Sequence, residues 1–327
     1  MFINLHIIER MTTLKKNTLK TIIALFLLAL IGSPLTAMAQ EGATSDAVIY
    51  PARYQLNSID SVNLAEFYEY NMGMTILEEA DGYYRLGTSD ERTLLEIFPT
   101  DIPRGESLST GLYHTAFLFN DRKYLGSALN HLMETQSPIE GFTYHGVSDA
   151  VYAADIEGNG IELYWDYPVE EWPQDEGGNS VDMLNEPLDY VELMESATEE
   201  FTQLDERTKI GHFHLVSDDY DAAGKFYSDV FNLNTQSYVE GDSFFQASGS
   251  YHHHIANNNW FADQGITQPE EGQQGLRATI WETQSEDFFN EVISNLDSLG
   301  ADYTLEDNSL SFKDASGLGV IVELVPE

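Results

Sequence analysis

One pattern constrains this chain more than any other: four segments open on a short apolar strand, break at polar residues, and pass into an amphipathic helix followed by further strands. "RYQLNSIDSVNLAEFYEYNMG" from Arg53 and "KIGHFHLVSDDYDAAGKFYSDVFNLN" from Lys209 both place Asp where a helix needs an N-cap. About two turns later each puts Phe-Tyr (Phe67-Tyr68, Phe226-Tyr227) on the buried face. "GLYHTAFLFNDRKYLGSALNHLM" from Gly111 and "GLRATIWETQSEDFFNEVISNL" from Gly275 share a second version that opens on Gly-Leu. These two continue to "AVYAADIEGNGIELYWD" from Ala150 and "LSFKDASGLGVIVELV" from Leu310, where Gly158-Gly160 and Gly317-Gly319 suit tight connections between strands.

The chain therefore reads as an α+β protein of four βαβββ modules, near 48–100, 108–168, 207–260 and 273–326, duplicated and paired into two cupped mixed sheets. By chain order the modules group as a first pair, 48–168, and a second pair, 207–326. Between them lies a connector, 169–206, too acidic and polar for a module; it reads as part helix, part loop, with its carboxylates on a solvated face. A cup formed by such modules leaves a cavity for a small ligand.

Composition narrows the ligand. Fifteen Lys plus Arg against 55 Asp plus Glu give a formal charge of −40, the wrong sign for a nucleic acid or an anionic membrane. Apolar residues at 42% are enough for real cores, so the acidity belongs to a folded chain. Cysteine is absent, which excludes disulfides, thiolate metal sites and cysteine nucleophiles; any metal falls to His, Asp, Glu or Tyr. Residues 1–39 read as a secretory signal: lysines, an apolar run from Thr21 to Ile31, a breaker at Gly32 to Pro34, and Ala37-Met38-Ala39 before Gln40. Its removal takes four basic residues and one acidic residue, leaving 11 against 54, a net −43. The expectation is an exported protein, periplasmic or extracellular, not inserted in a membrane after cleavage, with a surface suited to salt. A homo-oligomer is left open.

Eight histidines remain beyond the signal. His131 falls on a helix; His114, His145, His212, His214, His252, His253 and His254 fall on expected strands or strand ends. Alternation sends His212 and His214 to one face, and His252 and His254 to one face with His253 on the other. Comparing modules, the third residue of the opening triplet is His114 in "LYH" and His212 in "IGH", but Ala278 in "LRA" and about Arg53 in the first module. The residue after Gly-x-Gly-Ile is Glu162 in module two; Ile321 holds the matching place in module four, with Glu323 two residues on. Two modules carry ligand-type side chains and two do not. His114, His212 and Glu162 make a two-His, one-carboxylate set suited to Fe(II), with Mn(II) or Zn(II) also compatible.

These residues resemble the vicinal oxygen chelate superfamily and, within it, extradiol ring-cleaving dioxygenases of the catechol 2,3-dioxygenase kind. The extradiol signature runs from a His, across a short gap, to an apolar residue and Tyr, then Asp-Pro-x-Gly and a liganding Glu. "HGVSDAVYAADIEGNGIE" matches it at His145, Val151-Tyr152, Asp155, Gly158 and Glu162, and departs at Ile156, where the family has Pro. "YHHHIA" is similar to the strand carrying the family's acid-base His, which falls on His253. The resemblance spans residues 48–326.

It implies the vicinal oxygen chelate fold, Fe(II) held by His114, His212 and Glu162, and a small aromatic diol with O₂ as reactants. It also implies His253 as the proton carrier and His145 with Tyr152 as hydrogen-bonding groups for the substrate. His214, His252 and His254 then support or wall the site, and Trp260 and Glu323 are structural. The ligand positions imply that modules two and three pair across the connector, with one and four as a ligand-free partner. The rival arrangement uses modules one and two, with Gln55 or another first-strand residue replacing a His. The competing functions are another metal enzyme on the same scaffold, a glyoxalase-like lyase or isomerase, and a non-catalytic small-molecule binder.

Overall fold

Each of the four segments folds as strand, helix and three strands in the computed structural model, which describes residues 46–105, 107–174, 181–260 and 265–326. The expected signal, 1–39, lies outside the described residues. Module one is β1 (Tyr50–Ser58), α1 (Ser61–Tyr70), β2 (Thr75–Ala80), β3 (Tyr83–Gly87) and β4 (Thr93–Pro99). Module two is β5 (Gly111–Leu118), α2 (Arg122–Glu134), β6 (Ile139–Tyr144), β7 (Ser148–Ala154) and β8 (Gly160–Asp166). The connector contributes a two-residue strand β9 (Glu186–Pro187) and a helix α3 (Tyr190–Ser196). Module three is β10 (Lys209–Val216), α4 (Tyr220–Phe231), β11 (Asn234–Val239), β12 (Ser243–Ala247) and β13 (Ile255–Asn258). Module four is β14 (Gly275–Thr283), α5 (Glu286–Leu299), β15 (Tyr303–Glu306), β16 (Ser309–Lys313) and β17 (Gly319–Leu324). The polar breaks do what their side chains allow: Asp60, Asp121, Asp219 and Ser285 each accept a backbone N–H from the first turn of the helix that follows.

The sheets do not follow chain order. One runs β15-β16-β17-β14-β1-β4-β3-β2 and the other β11-β12-β13-β10-β5-β8-β7-β6-β9. Modules one and four share the first, modules two and three the second, so the grouping into 48–168 and 207–326 is corrected: each sheet takes one module from either side of the connector. In both, the opening strands meet antiparallel at the centre, β1 with β14 and β10 with β5, and each opening strand lies parallel to the last strand of its own module. The sheets meet through large buried rings on those central strands. Tyr54 of β1 sits edge-on to Phe117 of β5 and Phe213 of β10, and Phe213 to Trp281 of β14. Burial of this kind contributes roughly 2 kcal/mol per large side chain.

The glycine turns tie the halves together. Asp155 Oδ1 accepts the N–H groups of Glu157 and Asn159, Gly158 turns the chain at φ +78°, and Tyr68 of α1 donates to Asp155 Oδ2 at 3.0 Å. Module four repeats this: Asp314 Oδ1 accepts from Ser316 and Leu318, Gly317 sits at φ +80°, and Tyr227 of α4 donates to Asp314 Oδ2 at 3.0 Å. The Tyr of each Phe-Tyr pair thus binds the turn of a module in the other sheet. Ile156, the departure from the signature, is exposed at this turn, while Asp155 and Gly158 make the turn itself.

Burial outweighs the hydrogen bonds from Leu318, Tyr227 and Ser316 and pushes Asp314 up to about 6, from an ordinary 3.8. Between those values the folded protein keeps a proton that the unfolded chain has lost. The stability this group contributes is therefore complete below the unfolded value and is lost as pH rises through about 6, a change on the order of 3 kcal/mol. Asp314→Asn, which keeps an acceptor for the turn and cannot ionise, should flatten the stability profile over that window, measured by denaturant melts at stepped pH.

The connector is more than a solvated face. Its α3 is gripped by Arg122, which donates to both oxygens of Glu192 at 3.0 and 2.8 Å and to Asp149 at 2.7 Å. α3 also lies so close to α2 that a Cβ on Gly126 would stand 2.4 Å from the Leu193 carbonyl. β9 adds to the edge of β6. Among the described residues no helix is long and apolar enough to cross a membrane.

Candidate metal centre

Register brings the ligands together. Across the central strands of the second sheet, Glu162 of β8 is aligned with Ala116 of β5, and Ala116 with His212 of β10; His114 lies two residues from Ala116 and so on the same face. Bulges on either side, at Gly211 in β10 and at Tyr113 in β5, re-aim these side chains. Gly211 is required there: a Cβ would fall 1.7 Å from the Tyr164 hydroxyl. All three ligands are buried.

Glu162 Oε2 lies 2.9 Å from His114 Nε2 and 3.0 Å from His212 Nε2. Among the described residues, this trio alone brings three potential ligand atoms within 4.8 Å of one another. His114 Nε2, although close to the carboxylate, is buried and makes no hydrogen bond, as expected of a nitrogen aimed at a shared point rather than at Glu162. Protonation suits a cation. Burial, against the pull of Glu162, lowers His212 to about 4, leaving a neutral imidazole. Burial alone would raise Glu162, but His212 and His114 outweigh it and hold its carboxyl well below the usual range. Neutral imidazoles and a carboxylate are the forms that bind a divalent ion.

The trio opens on a cavity of about 560 Å³, walled by Tyr113, Phe245 and Trp260 and reached by His145, Tyr152, His214 and His253. A larger cavity, about 950 Å³, is lined by Gln55, Arg104 and Arg277 and touches none of the trio's members. His145 Nδ1 donates to the Leu184 carbonyl at 2.8 Å, so its Nε2 accepts from the Tyr152 hydroxyl at 2.7 Å. The Tyr152 ring lies 5.5 Å from that of His114. His253 packs against His212 with ring centroids 4.0 Å apart and the rings tilted by 42°, and burial together with the surrounding histidines pushes it well below its ordinary value.

Two expectations about the walls are corrected. His252, His253 and His254 do not alternate on a strand, because β13 begins only at Ile255; in the irregular segment before it all three are buried, and His252 Nδ1 faces His253 Nδ1 at 2.7 Å. Trp260 is not merely structural, since it walls the cavity and packs edge-on against Tyr113 and His214. His214 lines the cavity beside His114 and accepts from Asn258, and His254 Nδ1 accepts from the Ser248 amide, away from the ligands. The connector was missed as a contributor: Met183, Leu184 and Asn185 line the cavity. Two apolar residues inside an acidic stretch were the available signal.

The corresponding place in the other sheet carries an arginine where the trio has an imidazole. Gln55 is aligned with Glu96 and with Ala278, as Ala116 is with Glu162 and His212, so Arg53 takes the place of His114 and Ala278 that of His212. The Arg53 guanidinium reaches Glu96, Glu282 and Glu323 at 3.4, 3.3 and 2.6 Å. A fixed guanidinium sits among the three carboxylates there and pairs with each, and Glu323 is structural. Modules one and two lie in different sheets and Gln55 donates to Glu96 in its own, away from His114, which removes the arrangement that joined those modules around a metal.

The chain is 40% identical over 199 residues to a catechol-2,3-dioxygenase of Bacillus subtilis strain 168, covering 60% of this chain and 69% of that one. No family model matches it. Among solved structures it is similar to a Bacillus subtilis protein described as a candidate dioxygenase, with a TM-score of 0.54 at 13% identity over 84% of this chain and 85% of that one. It is also similar to a variant of glyoxalase I from Zea mays, with a TM-score of 0.52 at 13% identity over 84% and 94%. At such identity these two likenesses show the shared fold.

Proposed function

The chain belongs to the catechol-2,3-dioxygenase family of the vicinal oxygen chelate superfamily, and on that footing we propose that it cleaves a small aromatic diol with O₂, beside the hydroxyls, at a metal held by His114, Glu162 and His212. Fe(II) is the ion proposed; when bound it supplies one centre at which diol and O₂ are held side by side. The observation that carries the reading is the company the trio keeps. One cavity brings it together with His253 and with the Tyr152-His145 pair, and a simple binder has no need of that set.

The chain's own residues divide the remaining work. Tyr113, Phe245 and Trp260 offer aromatic faces and edges to a flat ring. Tyr152, its proton committed to His145, turns oxygen lone pairs to the cavity and receives a hydrogen bond from a substrate hydroxyl. His253, whose burial and histidine neighbours favour its neutral form, takes a proton from that diol and returns one later.

The test is anaerobic loading of the protein with Fe(II), then Mn(II) in a parallel sample, followed by a panel of catechols and O₂ with detection of a yellow ring-fission product. Product with either ion supports the reading; none across the panel overturns it in favour of lyase or isomerase chemistry. Export belongs to the same proposal. It is supported by the pattern of residues 1–39, and is checked by whether the protein recovered outside the cytoplasm begins at Gln40.

A further inference from the structure

We propose that His252 and Asp166 form a positioning dyad that fixes the tautomer of His253, leaving its Nε2 as the bare nitrogen offered to the substrate; the catalytic part of this rests on the dioxygenase reading. Glu162, Tyr164 and Asp166 alternate along β8 and so share the face that carries the metal ligand. Asp166 Oδ1 lies 3.0 Å from His252 Nε2, and its Oδ2 accepts from the Tyr251 hydroxyl at 2.7 Å. Tyr251 in turn lies 2.8 Å from the Tyr164 hydroxyl, the group that Gly211 makes room for. The carboxylate is thereby held on both oxygens.

Hydrogen-bond polarity follows from that anchor. A carboxylate only accepts, so His252 carries its proton on Nε2, and in neutral His252 Nδ1 is then bare. Facing it at 2.7 Å is His253 Nδ1, which must be the donor. A neutral His253 with its proton on Nδ1 has none on Nε2. His253 lines the cavity, and with Nδ1 committed to His252 its Nε2 is the nitrogen left for the diol. When that nitrogen takes the proton, an N–H bond forms as the substrate O–H breaks, and the imidazolium keeps its other N–H on His252, backed by Asp166. The logic is that of a carboxylate orienting a catalytic imidazole.

Asp166→Asn tests it with almost no change of shape. The amide oxygen still accepts from Tyr251, but the amide nitrogen donates to His252 Nε2. His252 then holds its proton on Nδ1, donates to His253, and leaves the His253 proton on Nε2, where no base remains. In ¹⁵N-histidine-labelled, metal-free protein, His253 Nε2 should shift from the acceptor-type to the protonated-type resonance on this substitution. In the loaded enzyme, kcat should fall about 100-fold while KM and metal stoichiometry stay within two-fold. His252→Phe, which removes the acceptor, should lower kcat with metal content kept. A wild-type His253 protonated at Nε2, an unchanged tautomer in Asp166→Asn, or full turnover in His252→Phe would each overturn the dyad. The resonances report on the dyad even if the wild type cleaves no diol, which would count against the dioxygenase reading alone.

Discussion

Replacing His212 with Ala is expected to remove the metal and with it all ring cleavage, to less than about a thousandth of wild-type turnover, while leaving the fold in place. The loss of metal follows from ligand count. His212 and His114 flank one carboxylate oxygen, and with one imidazole gone only one His and one Glu remain, two ligands where the site had three. Survival of the fold is argued by the protein itself, because Ala278 holds the register position of His212 in the other sheet, buried on a well-formed strand. Elemental analysis after anaerobic loading, beside a thermal melt, reads both. Metal retained at wild-type stoichiometry in a folded variant would mean that the ion sits elsewhere.

Local order and long-range order differ in how far the sequence encodes them. Module repetition, Asp caps and the Gly-x-Gly turns are local signals, and local hydrogen bonding decides them; all four modules form where the pattern puts them. That the three side chains would meet was legible because alternation and duplication are both strict: His at matching strand positions in two modules and absent from the other two stands out from a core. Pairing of modules two and three followed from the ligands, whereas grouping by chain order failed, since nothing local tells β5 to join β10 rather than β1. Leu184 escaped notice because it acts through its backbone carbonyl, and a carbonyl has no sequence signature. Asp166 was one carboxylate among 55 Asp and Glu, and its meaning appears only when His252 is found against it. The contact of His252 with His253 contradicted alternation because the segment leaves the strand before Ile255, which a run of three like residues does not announce.

The second large effect separates chemistry from metal binding at one residue. His253→Ala should keep the metal at full stoichiometry and lower kcat by about 100-fold or more, the usual contribution of a placed acid-base group, with a much smaller change in KM. Its ring packs against His212 but offers no atom to the trio, so truncation leaves the three ligand atoms in place. The vacated space lies against the cavity, next to His252 with its Nδ1 free to accept, and imidazole added to the buffer can enter it. Partial recovery of turnover with added imidazole is therefore expected for His253→Ala and not for His212→Ala, where the loss is of the ion. Wild-type kcat in a metal-loaded His253→Ala protein would remove His253 from the proton transfer and move that role to the Tyr152-His145 pair, the other group on this cavity with a proton already held between two side chains.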